Sequence, residues 1–251
     1  MKKNIFLYSF IILISTIFSM YICEYYLNLT TYDKSGASLT RNQLANKIKI
    51  FENQNNKKYD KRSFVDIFED YNYSNKIFFP MIAGKKKINI MDKTFFPLAG
   101  HSNIKNIYCN ENGYYSTFIS DRYGFNNNDE NWNSKKIDFL LLGDSFIHGM
   151  CVNKPDDISS QLEILSGGIS LNLSYGGNGP ISQYASFKEY SKNKKIKYIL
   201  WFFYEGNDLN DLNNELENDI LLKYVSDDNF EQKLINHQPV LDKHAMHYQN
   251  E

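Results

Sequence analysis

The chain has 251 residues, which bounds it at one ordinary domain, or one domain with an accessory piece. Its 28 Lys and Arg balance 29 Asp and Glu to a formal net charge of -1, so it carries no field that would hold nucleic acid, and no such partner is expected. An apolar fraction of 42%, with 19 Tyr and 18 Phe, is enough for a real core.

Lys2 and Lys3 precede an uncharged stretch from Asn4 to Cys23 that ends at Glu24. About 20 such residues in a helix cross roughly 30 Å of hydrocarbon. Residues 1–24 are therefore expected to form an N-terminal transmembrane anchor or signal segment, a packing helix being the third option. A cleaved signal wants small residues at its exit, where Phe18, Met20 and Tyr21 stand instead. The two lysines favour the short end in the cytoplasm, which makes the expected protein single-pass, with its main domain exported to the periplasmic side. In such a compartment Cys109 and Cys151 are candidates for a disulfide, with two buried thiols as the alternative.

Residues 25–75 are weakly patterned and read as a stalk, with a short amphipathic helix at Thr40–Phe51 and a polar loop from Glu52 to Lys61. Residues 76–136 hold short apolar runs, Ile77–Met81 and Ile88–Met91, broken by Gly, Pro and Asn, and read as a segment wrapping the core. Asp121-Arg122-Tyr123-Gly124-Phe125, followed by three Asn, has turn composition.

From residue 137 to 251 the pattern is α/β. Ile137–Leu142 is a strand running into Gly143-Asp144-Ser145, and Phe139–Leu142 suits burial on both faces. Pro155 to Leu162 opens a helix that Gly167 and Gly168 stop. Ile169–Leu173 is a second strand, Ile181–Tyr190 a helix entered through Pro180, Ile196–Tyr204 a third strand, and Leu209–Tyr224 a further helix. Alternation of this kind implies parallel strands with right-handed crossovers. The carboxyl ends of such strands line one crevice, so Ser145, the Gly176–Gly179 loop and Asn207 are expected to be neighbours.

Each loop has a chemical and a plain reading. A serine at a strand-to-helix turn presents its hydroxyl at the sheet edge, or simply caps the helix. Three glycines in Gly176-Gly177-Asn178-Gly179 let a backbone N–H approach an oxyanion, or merely make a tight turn before Pro180. The amide of Asn207 is either an oxyanion donor or a turn residue, and Asp208 suits a helix cap.

Taken together, GDSFIHG at Gly143–Gly149, NLSYGG at Asn172–Gly177 and YEGND at Tyr204–Asp208 resemble three blocks of the SGNH/GDSL hydrolase superfamily. The segment CNENGYYSTFISDRYGFNN from Cys109 also resembles the lead-in of its membrane-anchored bacterial members, which often accompany surface-polysaccharide genes. The resemblance implies a three-layer α/β/α flavodoxin-like fold with a parallel sheet. It makes Ser145 the nucleophile, with Ser145 N–H, Gly177 N–H and Asn207 as oxyanion donors. The implied activity is that of a serine ester hydrolase or O-acyl transferase acting on esters of an envelope or surface glycan, with no metal or organic cofactor and no set oligomeric state.

The sequence departs from that family at its end, because no Asp-x-x-His follows Asn207. His148, three residues after Ser145, and His244 or His247 are substitutes for the missing base, while His101 and His237 read as surface or packing residues. Only three convincing parallel strands are visible where about five are usual. The domain is thus expected to be incomplete at its C-terminus. A rival of another class is a catalytically inactive carbohydrate-binding or assembly protein, with Trp201 and other aromatics lining a sugar groove. Nucleotide binding is disfavoured, since no G-x-G-x-x-G follows the first strand.

Overall fold

The run after Lys3 contains no Gly or Pro until well past Glu24, and it forms a long helix, α1 (Lys2–Thr31). In the computed structural model the structure describes residues 2–31, 41–73, 78–80, 87–90 and 92–249, in two compact units, Met1–Lys57 and Lys58–Glu251. The first unit holds α1 and α2 (Arg41–Asn55), the latter where a short amphipathic helix is expected.

α1 corrects the membrane expectation. Among the described residues no helix is long and apolar enough to cross a membrane. The side chains described in α1 are Tyr8 and the run from Phe10 to Tyr25, which meets a charge at Glu24. Ser15 and Thr16 turn their hydroxyls back along the helix, donating to the Ile12 carbonyl at 2.9 and 2.8 Å. The transmembrane helix, the membrane partner, the single-pass topology and the periplasmic placement all fall with it.

The second unit opens with α3 (Phe64–Tyr73) and five short strands: β1 (Phe78–Pro80), β2 (Ile88–Ile90), β3 (Lys93–Phe95), β4 (Lys105–Ile107) and β5 (Thr117–Ile119). β1 runs parallel to β4 and β5 antiparallel to it, while β2 and β3 form a separate hairpin. The chain then turns around Asp121. Its buried carboxylate accepts Tyr123 N–H, Phe125 N–H, the Asn127 amide and the Trp132 indole at 2.7 to 3.0 Å. Burial pushes this carboxyl up from its ordinary range, against those four bonds.

The α/β part follows in the expected order: β6 (Lys136–Leu142), α4 (Ser145–His148), α5 (Ile158–Ser166), β7 (Ser170–Asn172), α6 (Pro180–Tyr190), β8 (Lys195–Trp201), α7 (Asp208–Glu215), α8 (Asp219–Ser226) and α9 (Leu234–Gln249). β6 lies between β7 and β8 in an all-parallel sheet, with Leu141 opposite both Asn172 and Leu200. Leu140, Leu141 and Leu142 are fully buried, as their position in the middle strand demands. Among the described residues the architecture is mixed α/β with three small sheets.

Two elements differ from the expectation. The helix expected over Leu209–Tyr224 is two helices, because Asn218 caps α8 by accepting Ile220 N–H and Leu221 N–H. The third strand ends at Trp201 and not at Tyr204, because the Asp208 carboxylate takes the Tyr204 N–H and turns the chain. α6 is tied to the segments after it through Glu189, which accepts the Tyr224 hydroxyl, Gln232 N–H and Leu234 N–H.

Cys109 and Cys151 are bonded, with Cα atoms 5.0 Å apart, and the bridge fastens the segment after β4 to the loop after α4. It spans a sequence separation of 42 residues, for which closing the unfolded chain removes entropy equivalent to about 4 kcal/mol. Replacing both cysteines by serine is therefore expected to lower the unfolding free energy of the full chain by about that amount, read by urea denaturation without reductant. A loss below about 1 kcal/mol would show that the bridge does not constrain the unfolded chain.

Candidate active site

The first loop is shaped by contacts around its glycines. A Cβ on Gly143 would sit 2.5 Å from Ile147 Cγ1, so the turn out of β6 admits no side chain there. Asp144 caps α4 by accepting Phe146 N–H at 3.0 Å. Gly149, at φ 82°, closes α4 after one turn. A single turn carries little macrodipole, so the helix behind Ser145 supplies less field than a long helix would. Ser145 is half-buried, and neither its hydroxyl nor its N–H makes a hydrogen bond among the described residues.

α4 is too short to hold itself, and side chains hold it. Asn172 at the end of β7 donates its amide to the Ile147 carbonyl at 2.5 Å, and Asn126 donates to the His148 carbonyl at 2.9 Å. Asn127 locks Asn172 in turn, accepting its N–H at 2.7 Å and donating to its carbonyl at 2.9 Å. The second loop is thereby fastened to the first. Sequence reasoning marked the Asn run as a turn and missed this role. Its signal was present as three consecutive carboxamides beside an Asp, too many for a turn alone.

Within the second loop Gly177 has φ 81° and its N–H has no partner among the described residues. The following Gly179, Ile181 and Ser182 N–H groups all donate to the Glu215 carboxylate of α7, at 2.8 to 3.2 Å. Burial raises the Glu215 carboxyl above its ordinary range despite these donors. Glu215 caps α6 from across the fold, a role the sequence did not mark, since the two segments are far apart in the chain. A cavity of about 90 Å³ lies here, lined in part by Gly177, Ser182, Asp211, Asn214 and Glu215.

The third loop meets the first directly. Asn207 donates its amide to Asp144 at 3.3 Å and to Asp211 at 3.0 Å. Its own Oδ1 is buried without a partner, as is Asp208 Oδ1. Burial pushes the Asp208 carboxyl up, and the like charges of Asp144 and Asp211 add to this, while the Tyr204 N–H bond opposes it. Asn207 makes no side-chain cap to α7, and Asp208 uses its carboxylate on Tyr204 instead of capping α7. The amide of Asn207 thus separates two carboxylates, and among the described residues no group of His, Cys, Asp and Glu is arranged to hold a metal ion.

The histidines lie elsewhere. His148 points into an aromatic cage of Tyr108, Phe118 and Tyr175 and hydrogen-bonds the Tyr108 hydroxyl. His101 engages the Ser102 carbonyl at 2.8 Å and faces Asp242 at 3.7 Å. His237 bonds the Lys233 carbonyl and packs on Phe95. His244 is partly buried on α9, and the side chain of His247 lies outside the described residues.

No family model, no curated protein and no solved structure matches this chain. The family assignment drawn from the three motifs is corrected accordingly: nothing supports membership of the SGNH/GDSL hydrolases. The physical reason is visible in the loops. Gly143, Asp144, Gly177 and Asn207 are residues that turns and buried polar contacts select for themselves, and each has such a role here.

Burial drives the His148 imidazole down to about 3, with Lys154 adding repulsion. The folded protein keeps it neutral, whereas the unfolded chain binds a proton below its ordinary value of 6.5. The stability this contributes is present above pH 6.5 and is lost as pH falls toward 3. His148→Gln is expected to flatten the fall in unfolding free energy between about pH 6.5 and 4 relative to the parent chain. Superimposable pH profiles for the two proteins would contradict the buried neutral imidazole.

Proposed function

We propose that the protein is a serine ester hydrolase or O-acyl transferase that works through an acyl-enzyme. The observation that carries this reading is the Asn207–Asp144 contact of 3.3 Å, which sets a carboxamide beside the turn that presents Ser145. Ser145, Gly177 and Asn207 leave the carboxyl ends of three adjacent parallel strands, where open α/β sheets bind their ligands. The proposed fold of this part is accordingly the three-layer, flavodoxin-like one.

Ser145 Oγ attacks the acyl carbon, the alcohol leaves, and water or an acceptor alcohol takes the acyl group in the second step. The unpaired N–H groups of Ser145 and Gly177 are the backbone donors for the oxyanion. Asn207 is the third donor once its longer bond, to Asp144, is exchanged for the oxyanion. Phe146 and Tyr204, both exposed with ring centroids 5.0 Å apart, flank the turn. They offer apolar faces on which a sugar ring packs, and an acylated carbohydrate is the proposed substrate class.

No histidine hydrogen-bonds the Ser145 hydroxyl among the described residues, and His148 is committed to Tyr108. Proton removal from Ser145 therefore falls to hydroxide. The expected rate of p-nitrophenyl acetate hydrolysis is low and rises about tenfold per pH unit from pH 7 to 9 without a plateau. Ser145→Ala is expected to reduce it to the buffer background, and Asn207→Ala to lower it by about 10²- to 10³-fold, or to background where that is reached first. Equal rates for the parent and Ser145→Ala proteins, both folded by circular dichroism, would reject nucleophilic catalysis. That outcome would favour the second reading, a binding protein without turnover, which the absence of a histidine bonded to Ser145 among the described residues supports.

A further inference from the structure

β8 is bonded to β6 along one side only, and among the described residues no strand lies on its other side. Lys195, Lys197, Tyr198, Ile199 and Trp201 are all exposed along it. The apolar character continues past its end, with Phe203 at 55% and Tyr204 at 49% exposure. Native edges are usually blunted by proline, a bulge or charges along their length. Here the only charges, Lys195 and Lys197, stand in the first half of the strand, and the sequence from Tyr198 to Tyr204 has no charge and no proline.

The opposite edge of the same sheet is closed to a partner. β7 has three residues, Ser170, Leu171 and Asn172, and all are fully buried. A second copy therefore does not add head to tail through β7, and among the described residues β8 is the edge through which two copies extend this sheet. A two-fold axis makes such a pair antiparallel and isologous. Phe202 N–H donates inward to the Leu142 carbonyl at 2.9 Å. By strand alternation the N–H groups of Ile199 and Trp201 face the open edge.

We propose that two copies of this chain associate through their β8 strands, antiparallel, with Ile199 of each opposite Trp201 of the other. Charge arrangement fits this register. It sets Lys195, at the start of one strand, against Glu205, just past the end of the other, twice by symmetry. Both residues are exposed, and neither forms an ion pair among the described residues of its own chain. The pairing saturates the outward backbone groups of both edges and removes Ile199 and Trp201 from water.

The test is sedimentation equilibrium of the full chain in a non-ionic detergent, which separates this contact from any association through the exposed apolar surface of α1. The expected parent species is a dimer. Ile199→Pro removes an N–H that faces the edge and leaves the β6 ladder intact, so the expected species is a folded monomer. Lys195→Glu and Glu205→Lys are each expected to raise the dimer dissociation constant by about tenfold, and the two together to restore it. The charge pair decides the question should the proline variant fail to fold. A parent chain that stays monomeric up to about 100 µM overturns the proposal, since a contact weaker than that is no stable interface. So does a dimer indifferent to Ile199→Pro, or a double charge reversal that is weaker than either single one.

Discussion

The buried carboxylate of Asp121 is the contact on which the α/β part depends. It gathers two backbone N–H groups, the Asn127 amide and the Trp132 indole at one point, and Asn127 then grips both backbone groups of Asn172. From Asn172 the chain of bonds passes to the Ile147 carbonyl, and a parallel one runs from Asn126 to His148. A four-residue helix has almost no stability of its own. α4 keeps its shape because buried carboxamides hold its carbonyls, and the whole network is as costly to break as it is to bury. The bridge between Cys109 and Cys151 fastens the chain just past the same, C-terminal end of this short helix.

This economy explains why the three loops meet. The first is joined to the second by Asn172 and to the third by the Asn207–Asp144 bond. Each joint uses a carboxamide, which donates and accepts without adding charge to a crowded region. The region is crowded: Asp144, Asp208 and Asp211 lie close enough to raise the Asp208 carboxyl, and the Asn207 amide stands between two of them. The Asn207 amide, neutral itself, donates to two of these carboxylates. The consequence for chemistry is that Asn207 is already engaged, so its service to an oxyanion requires an exchange of partners.

Much of the α/β part was legible in the sequence. β6, α5, β7 and α6 stand close to where apolar runs, Asp157, Gly167 and Pro180 place them, because caps and strand burial are local properties. The break between α7 and α8 was less legible, since Asn218 reads as one more polar residue in a polar helix until its cap is seen. His148 shows the other limit. Its spacing from Ser145 fits a base on the same helical face, yet a single turn of helix places it among Tyr108, Phe118 and Tyr175. Glu215 and Asp121 were invisible as organising residues, because their partners are brought to them only by the folded chain.

By itself the sequence determined the order and kind of the central elements, the glycine turns at Gly143 and Gly177, and the alignment of three polar loops at one end of a parallel sheet. These follow from hydrophobic period, cap chemistry and the steric freedom of glycine, all of which act over a few residues. The tertiary structure alone decided what the loops do to one another: that Asn207 faces Asp144, that His148 is buried and neutral, and that among the described residues no strand covers the outer edge of β8. Those outcomes depend on desolvation and on contacts between distant segments, which local sequence does not encode. The membrane and family expectations failed for the same kind of reason. A run of apolar letters and three short motifs are local signals, whereas spanning a bilayer and belonging to a family are properties of whole segments and whole domains.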